Sequence, residues 1–291
     1  MPSSFLTITI FIKQKLPESC KGGFMARIIF LGTAGSSAVV SKQMRSSGGI
    51  VLQVGDLQFH IDPGPGALNK AKEYGINLHN TTAVLVSHNH INHCNDLNAI
   101  VDAMTHGGIE HRGIIMASKS VLQGSDKHHP FLTKYHQSQV EKIIPVEKNH
   151  KVGVELVEIH ALSAEHTDPT AVGFKFFCPK LTIAYTGDTQ LTPKLLEELL
   201  GTDLLILNVP YPGESGTGMN LDVNAAVQII SHVRPKMAIL THFGLQMLKA
   251  DPLLQAREIQ RATGIQTIAA HDGLAIAPGG TVYHSPVKGF D

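Results

Sequence analysis

The sequence predicts one large domain in which strands and helices are mixed. Runs of aliphatic residues such as Ala83–Val86 and Asp203–Asn208 are typical of buried strands. The stretch Val223–Val233, with Asp222 as its N-cap, is typical of a helix. The chain has 291 residues, of which 43% are hydrophobic and 16% charged, so it can bury a substantial core.

Charge and cysteine usage exclude several classes of protein. Basic and acidic residues balance at 24 each, so net charge does not indicate a general binder of polyanions. The cysteines Cys20, Cys94 and Cys178 are far apart and predict no disulfide framework, which favours a reducing cytoplasm. No run approaches the roughly eighteen apolar residues of a membrane span, and Phe5–Ile12 lacks the flanks of a signal peptide. We therefore expect a cytoplasmic protein without a membrane partner.

The first 24 residues precede the first strand that the pattern predicts for the domain. That strand lies in the run that Met25 opens, Met25–Gly32, and is predicted to span Ile28–Leu31. Residues 1–24 are therefore either an N-terminal extension or lie before the true start at Met25. The domain itself is predicted to cover residues 25–291.

The most informative stretch is Ser87–Asp96, which carries three histidines directly after the predicted strand Ala83–Val86. His88 and His90 are two residues apart, so in an extended segment they project to the same side. His93 follows as the chain turns toward a predicted helix. Clustered neutral imidazoles are the commonest ligands of transition metals, with zinc the leading candidate. A histidine-rich surface loop is the alternative, because the chain has 17 histidines.

Further histidines and carboxylates recur where predicted strands end. His166 and His242 each follow a strand, and Asp188 follows another in the run Thr186-Gly187-Asp188-Thr189. His160, in the middle of a predicted strand, competes locally with His166 as a ligand. Asp62 follows the predicted strand Gln58–Ile61 and could either initiate a turn or support a ligand.

These motifs, in this order, resemble those of the metallo-β-lactamase superfamily of hydrolases. The histidine cluster is similar to the signature His-x-His-x-Asp-His, and the resemblance runs from about Met25 to Pro278. The run Gly32-Thr33-Ala34-Gly35 also resembles the opening of the tRNase Z and cyclic-phosphodiesterase branches. The segment between His166 and Asp188 is too short for the tRNA-clamping exosite of long-arm tRNase Z enzymes, so the layout is closer to the cyclic-phosphodiesterase branch.

Two departures from the family pattern bear on mechanism. Asn92 stands where the family usually has an Asp that binds the second metal and orients the nucleophilic water. The tRNase Z branch usually carries His-Glu-Ala-Thr after the strand Asp203–Asn208, whereas this chain reads Asn208-Val209-Pro210-Tyr211. The histidine proposed as a proton donor in that branch is therefore missing.

The resemblance implies an α+β fold, a four-layer αβ/βα sandwich with two mixed sheets inside and helices outside. It also implies one or two zinc ions, with manganese or iron as alternatives because such nitrogen and oxygen sites are not strongly selective. The first metal would be held by three histidines and the second by two, with one carboxylate between them: His88, His90 and His166; His93 and His242; and Asp188.

The resemblance further implies supporting and catalytic roles. Asp62 and Asp272 would orient the ligands, since a carboxylate that receives the second ring N–H of a histidine fixes its tautomer. Asp168 is a candidate substitute for the missing base. Arg45 could face a phosphate or lie in a solvated loop, and His271 could act as an acid or contact the substrate.

The implied function is metal-dependent hydrolysis of phosphodiesters, with a small or nucleotide-like substrate and a water activated by the metal. Two alternatives stay open. One is a hydrolase of another ester, lactone or amide. The other is a metal-binding protein with little catalysis, because Asn92 has neither the charge nor the basicity of Asp. A homodimer is compatible with the sequence, and the natural substrate cannot be deduced from it.

Overall fold

A computed structural model describes residues 7–10, 26–126, 128–213, 219–278 and 282–284. The chain divides into two compact units. We call them the His88 unit (Met25–Pro145, Thr241–Leu245 and Ala270–Asp291) and the Asp188 unit (Met1–Phe24, Val146–Leu240 and Gln246–Ala269). Within the described ranges, no helix has the length and apolar character needed to cross a membrane.

Each unit contains one mixed eight-stranded sheet, so the prediction of an α+β fold with two mixed sheets is confirmed. The strands, numbered along the chain, are β1 (Thr7–Ile10), β2 (Ala26–Gly32), β3 (Ser47–Val54), β4 (Leu57–Ile61), β5 (Ala83–Val86), β6 (Ile114–Ser118), β7 (Lys142–Val146), β8 (Lys151–Val154), β9 (Val157–Ser163), β10 (Val172–Cys178), β11 (Leu181–Tyr185), β12 (Leu204–Asn208), β13 (Met237–Thr241), β14 (Thr267–Ala269), β15 (Leu274–Ile276) and β16 (Val282–His284).

The helices are short in both units. They are α1 (Ser37–Ser41), α2 (Ala67–Glu73), α3 (Ile91–Cys94), α4 (Leu97–Thr105), α5 (Lys119–Gln123), α6 (Lys134–Gln137), α7 (Pro193–Leu199), α8 (Val223–Val233), α9 (Leu245–Lys249) and α10 (Pro252–Thr263), with a 3-10 turn at Leu78–Asn80. Asp222 accepts a hydrogen bond from the N–H of Ala225, so it is the N-cap of α8 that the sequence predicts.

The sheet of the His88 unit has the strand order β16-β15-β2-β3-β4-β5-β6-β7. β4, β5 and β6 are parallel neighbours, with Ile61 opposite Leu85. Parallel strands end at the same edge of a sheet, so the residues that follow β4 and β5 emerge side by side. These residues are Asp62 and Ser87. Ser87 begins the stretch Ser87–Asp96, which we call the histidine loop.

Helix α4 fixes the far end of the histidine loop. Its residues Leu97, Ile100, Val101 and Met104 are completely buried, at the spacing of one helical face. They belong to the same core cluster as two residues of β5 and two of β6, which are Val84, Val86, Ile115 and Ala117. The loop is therefore held between a buried strand and a buried helix face.

The sheet of the Asp188 unit has the order β1-β8-β9-β10-β11-β12-β13-β14. β11 and β12 are parallel, which brings the residues after Tyr185 close to the end of β12 at Asn208. The sequence left open whether residues 1–24 are an N-terminal extension or lie before the true start at Met25. Four of these residues, Thr7–Ile10, form β1, which pairs in parallel with β8. Residues 11–25 lie outside the described ranges.

His60 is a fully buried histidine in β4. Its Nε2 lies 2.8 Å from the carbonyl oxygen of Gly48, to which it donates, and its Nδ1 has no partner among the described residues. Burial lowers the pKa of His60 from 6.5 to about 4, against a smaller opposing effect of the bond to Gly48. The folded protein therefore keeps this ring neutral.

We expect His60 to make the protein less stable in acid. The folded-state pKa lies below that of the unfolded chain, so between pH 6.5 and 4 the unfolded chain binds more protons and stability falls as pH falls. His60→Gln keeps a donor for Gly48 but cannot be protonated. Between pH 7 and 4 the wild type should lose up to about 3 kcal/mol more unfolding free energy than this variant.

The measurement is urea unfolding at a series of pH values. Protonation of other histidines affects both proteins equally, so the difference between the two curves isolates His60. A variant of the less buried His150, His150→Gln, serves as the control and should follow the wild type. The expectation would be contradicted if the unfolding free energies of the wild type and His60→Gln fell equally between pH 7 and 4.

Candidate metal centre

Asp62 binds two neighbours on the histidine loop. Its Oδ1 accepts from the backbone N–H of Ser87 at 2.7 Å. Its Oδ2 accepts from the Ser87 hydroxyl at 2.7 Å and lies 2.9 Å from Nδ1 of His93. All three residues are buried, and Asp62 has a left-handed backbone with φ 52. Backbone strain of this kind is concentrated at functional sites.

These hydrogen bonds determine the tautomers of two histidines. An ionised carboxylate only accepts, so the Ser87 hydroxyl donates its hydrogen to Asp62 and must accept from Nδ1 of His88, 2.9 Å away. His93 likewise donates from Nδ1 to Asp62. In the neutral form of both rings, Nε2 then carries the lone pair and can bind a metal.

The ring nitrogens of the His88 unit converge in two pairs. His88 Nε2 lies 3.0 Å from Nδ1 of His90, and His93 Nε2 lies 2.9 Å from Nε2 of His242. Two lone pairs at this distance repel unless a proton or a cation lies between them. Two nitrogens bound to one tetrahedral zinc are separated by about 3.3 Å. The spacing and the donor type therefore fit a divalent cation that prefers nitrogen ligands.

His242 and Asn92 approach each other because two glycines leave room. His242 follows β13 with φ 62, and a Cβ on Gly35 would lie 1.8 Å from its carbonyl oxygen. A Cβ on Gly64 would lie 2.0 Å from the carbonyl oxygen of Asn92. The side-chain Nδ2 of Asn92 lies 3.0 Å from Nε2 of His242. Asn92 thus lies beside the pair formed by His93 and His242.

The Asp188 unit contains a histidine and a carboxylate that lie close together. His166 donates from Nδ1 to the carbonyl oxygen of Met219 at 2.8 Å, so its Nε2 carries a lone pair. That Nε2 lies 3.8 Å from Oδ2 of Asp188. The other Asp188 oxygen, Oδ1, accepts from Nδ2 of Asn208 at 2.7 Å. The alternative ligand His160 lies within β9, where its Nε2 contacts the carboxylate of Glu158.

Asn208 is a site residue that sequence reasoning recorded only as a departure. It is 1% exposed, and its amide also donates to the hydroxyl of Tyr185 at 3.1 Å. Its Oδ1 has no hydrogen-bond partner among the described residues. Asn208 is a polar residue at the end of the buried strand β12, next to β11, and this position could have indicated it. There its side chain contacts Asp188.

The remaining predicted site residues of the His88 unit lie around Asp272. Its Oδ1 accepts from the N–H and hydroxyl of Thr33 at 2.9 and 2.8 Å, and its Oδ2 from the N–H of Ser46 at 2.7 Å. Asp272 thus joins two loops by these bonds. Arg45 lies 3.4 Å from the Thr33 hydroxyl, and His271 Nδ1 lies 3.0 Å from the Asp272 carbonyl oxygen.

Asp168, the candidate substitute base, is buried in the Asp188 unit. Its Oδ1 accepts from the backbone N–H and from the hydroxyl of Thr170, both at 2.9 Å. These bonds stabilise the turn that leads into β10. Its role as a base stays a prediction.

The fold and the clustered donors at strand ends agree with one family. Residues 58–243 match the family described as the beta-lactamase superfamily domain, so the chain belongs to it and the resemblance is confirmed. Members of this family are typically metal-dependent hydrolases.

Three similar proteins illustrate the relationship. An uncharacterised protein of Methanocaldococcus jannaschii is 32% identical over 251 residues, which cover 86% of this chain and 94% of that protein. A ribonuclease Z of Methanopyrus kandleri is 31% identical over 157 residues, 52% of this chain and 50% of that enzyme. The crystal structure of the metallo-β-lactamase fold protein YhfI from Bacillus subtilis has a TM-score of 0.73 at 19% identity. The match covers 87% of this chain and 99% of that chain. At that identity the likeness shows the fold.

We expect Ser87→Ala to weaken metal binding. The change removes the group that accepts from His88 and donates to Asp62, so the tautomer of His88 is no longer fixed. Loss of such an outer partner typically lowers metal affinity by about 10- to 100-fold. Competition with a chromophoric zinc chelator measures the change.

Ser120→Ala is the matched control. Ser120 is also a buried serine of the His88 unit, and its hydroxyl lies 3.2 Å from that of Ser118. It follows β6 at the start of α5 rather than on the histidine loop. Equal zinc affinities for Ser87→Ala and Ser120→Ala would show that the hydroxyl of Ser87 does not orient a ligand.

Proposed function

We propose that the donors of both units act on one centre of one or two zinc ions, as the family pattern implies. The observation that carries this proposal is the hydrogen-bond chain from Asp62 through Ser87 to His88, which keeps Nε2 of that ring available to a metal. Zinc suits imidazole and carboxylate donors. The proposed ligands are His88, His90, His93, His166, Asp188 and His242.

We infer that the protein is a metal-dependent hydrolase of phosphodiesters. A bound divalent cation would acidify a water molecule and polarise a phosphoryl oxygen. Asp62 keeps His88 and His93 in the required tautomer, and Asn208 orients Asp188 through a neutral N–H. The assignment to phosphodiesters is supported by the ribonuclease Z relative.

A small or nucleotide-like substrate is supported by the segment between His166 and Asp188. This segment consists mainly of β10 and β11, an antiparallel pair in which Cys178 lies opposite Leu181. It therefore forms a tight hairpin with no inserted arm that could clamp a large RNA. Arg45 and His271 are proposed to contact the substrate.

The test is metal content together with hydrolysis of bis(p-nitrophenyl) phosphate by the zinc-loaded protein. We expect His88→Ala and His166→Ala each to lose metal and to lower activity by about a hundredfold or more, since a ligand of the centre is removed. His111→Ala, at an exposed position, should retain both. Full metal content in both ligand variants, measured by elemental analysis, would refute the ligand assignment.

The chemistry is tested separately from the metal. The ligand variants could lose metal while the wild type fails to hydrolyse the phosphodiester. That result would refute the proposed activity but leave the proposed metal centre supported. A panel of lactones, esters and amides then distinguishes another hydrolase from a metal-binding protein with little catalysis.

We expect Asn92→Asp to bind a second metal more tightly and to raise phosphodiester hydrolysis by about tenfold or more. The added carboxylate supplies the charge and basicity that the amide lacks, at a position 3.0 Å from the ring of His242. Metal stoichiometry and hydrolysis rates of the two proteins are compared directly.

Asn95→Asp is the matched control, because it adds the same charge at an exposed position three residues further along the loop. It should leave stoichiometry and activity unchanged. Lower activity of Asn92→Asp would indicate that the amide is adapted to a different chemistry. Unchanged activity and stoichiometry would show that the missing carboxylate has no role.

A further inference from the structure

A cavity lies within the Asp188 unit, and its lining contains none of the proposed metal ligands. Its volume is about 150 Å³. It lies between the strands β8, β9 and β10 and the end of α7. The lining residues that matter here are Lys151, His160, Leu162, Lys175, Phe177 and Glu198.

Basic side chains form a row across the strands at this cavity. Lys151 on β8 lies opposite His160 on β9, which in turn lies opposite Lys175 on β10. Residues directly opposite one another in antiparallel strands project to the same face, and like charges on such neighbours are unfavourable. Burial lowers the pKa of His160 and the two lysines add to this effect, whereas the carboxylate of Glu158, which contacts its Nε2, opposes it. Lys151 and Lys175 thus lie on either side of His160 on one face of the sheet.

Lys175 is the most buried member of the row, at 5% exposure. Its Nζ donates to the carbonyl oxygens of Glu198 and Leu200, at 2.9 and 2.6 Å, at the end of α7. An ammonium group has three donors, so one remains for another acceptor. Among the described residues no carboxylate oxygen lies within 4.0 Å of this Nζ. Burial accordingly lowers the pKa of Lys175, with an opposing contribution from Glu198.

The carboxylate of Glu198 is engaged elsewhere. Its Oε2 accepts from the N–H of Ser163 at 2.6 Å and its Oε1 from the hydroxyl of the same residue at 2.9 Å. Lys194 lies 3.7 Å from it. The carboxylate of Glu158 contacts His160. Glu198 and Glu158 therefore offset part of the positive charge around the cavity.

Phe177 provides an apolar wall. Its ring centroid lies 4.4 Å from that of His160 and 5.3 Å from Nζ of Lys175. Leu162, 2% exposed, is another apolar lining residue. A cavity of about this volume is large enough to hold a benzene ring.

We propose that this cavity binds a small molecule with one oxyanion group, of the phosphate or carboxylate type, on a flat apolar body. The oxyanion accepts from the ammonium groups of Lys175 and Lys151, and the flat body packs against Phe177. Such a ligand supplies counter-charge to the buried Lys175 and to the half-buried Lys151. The site is separate from the proposed metal centre and does not depend on it.

The test is isothermal titration of the zinc-loaded protein with phenyl phosphate, benzoate and inorganic phosphate. Because phosphate groups could also bind metal, the titrations are repeated with His88→Ala. We expect one binding event per chain to persist in that variant. Lys151→Gln should weaken it by about 10- to 100-fold, the contribution of a hydrogen bond to a charged group. Phe177→Leu should weaken the aromatic ligands but not inorganic phosphate.

Lys180→Gln is the matched control, since Lys180 is an exposed lysine in the turn after β10. It should bind like the wild type. Lys175→Met should abolish binding, and if that variant fails to fold, Lys151→Gln and Phe177→Leu decide the matter. Loss of binding in His88→Ala would overturn the proposal. Equal affinities in Lys151→Gln, Phe177→Leu and Lys180→Gln would also overturn it. A preference for phenyl phosphate over benzoate, or the reverse, supports it and identifies the oxyanion.

Discussion

One carboxylate, that of Asp62, determines how the histidine loop presents its rings. Three hydrogen-bond contacts from Ser87 and His93 meet on it, and through the Ser87 hydroxyl it also fixes the proton of His88. The arrangement exists because β4 and β5 are parallel neighbours, which end at the same edge of the sheet. Asp62 adopts a left-handed backbone at that edge. A strained backbone at Asp62 therefore accompanies the hydrogen bonds that orient the imidazoles of His88 and His93.

Two amides, Asn208 and Asn92, lie beside proposed metal ligands, and they act in different ways. Asn208 donates a neutral N–H to Asp188, which orients the carboxylate without cancelling its charge. Asn92 lies beside His242 but supplies no charge of its own. A centre built from these residues would contain five imidazoles and a single carboxylate. With a bound divalent cation, such a centre would carry net positive charge, which favours anionic substrates over neutral ones.

Much of the fold and part of the site could be predicted from local sequence. The strand–loop pattern located His88, His90 and His93 at the end of β5, because a buried apolar run followed by polar residues is a local signal. The hydrogen-bond partners of Asp272 could not be predicted in this way. Thr33 and Ser46 lie more than two hundred positions away in the sequence, and only the pairing of β15 with β2 brings them close. The same holds for Asn208, whose role depends on which strand lies next to β11.

The pairing of β15 with β2 has a further consequence for biosynthesis. The His88 unit combines residues 25–145 with two later short segments, Thr241–Leu245 and the residues from Ala270 onward. During translation, β2 therefore pairs with β3 well before its other neighbour, β15, has been made, and His93 has no His242 to contact until that later segment follows. Contacts so distant in sequence form slowly. A nascent chain that stops before these segments consequently exposes one unpaired edge of β2 and lacks His242, so the proposed metal centre would be completed only after Thr241–Leu245 has been made.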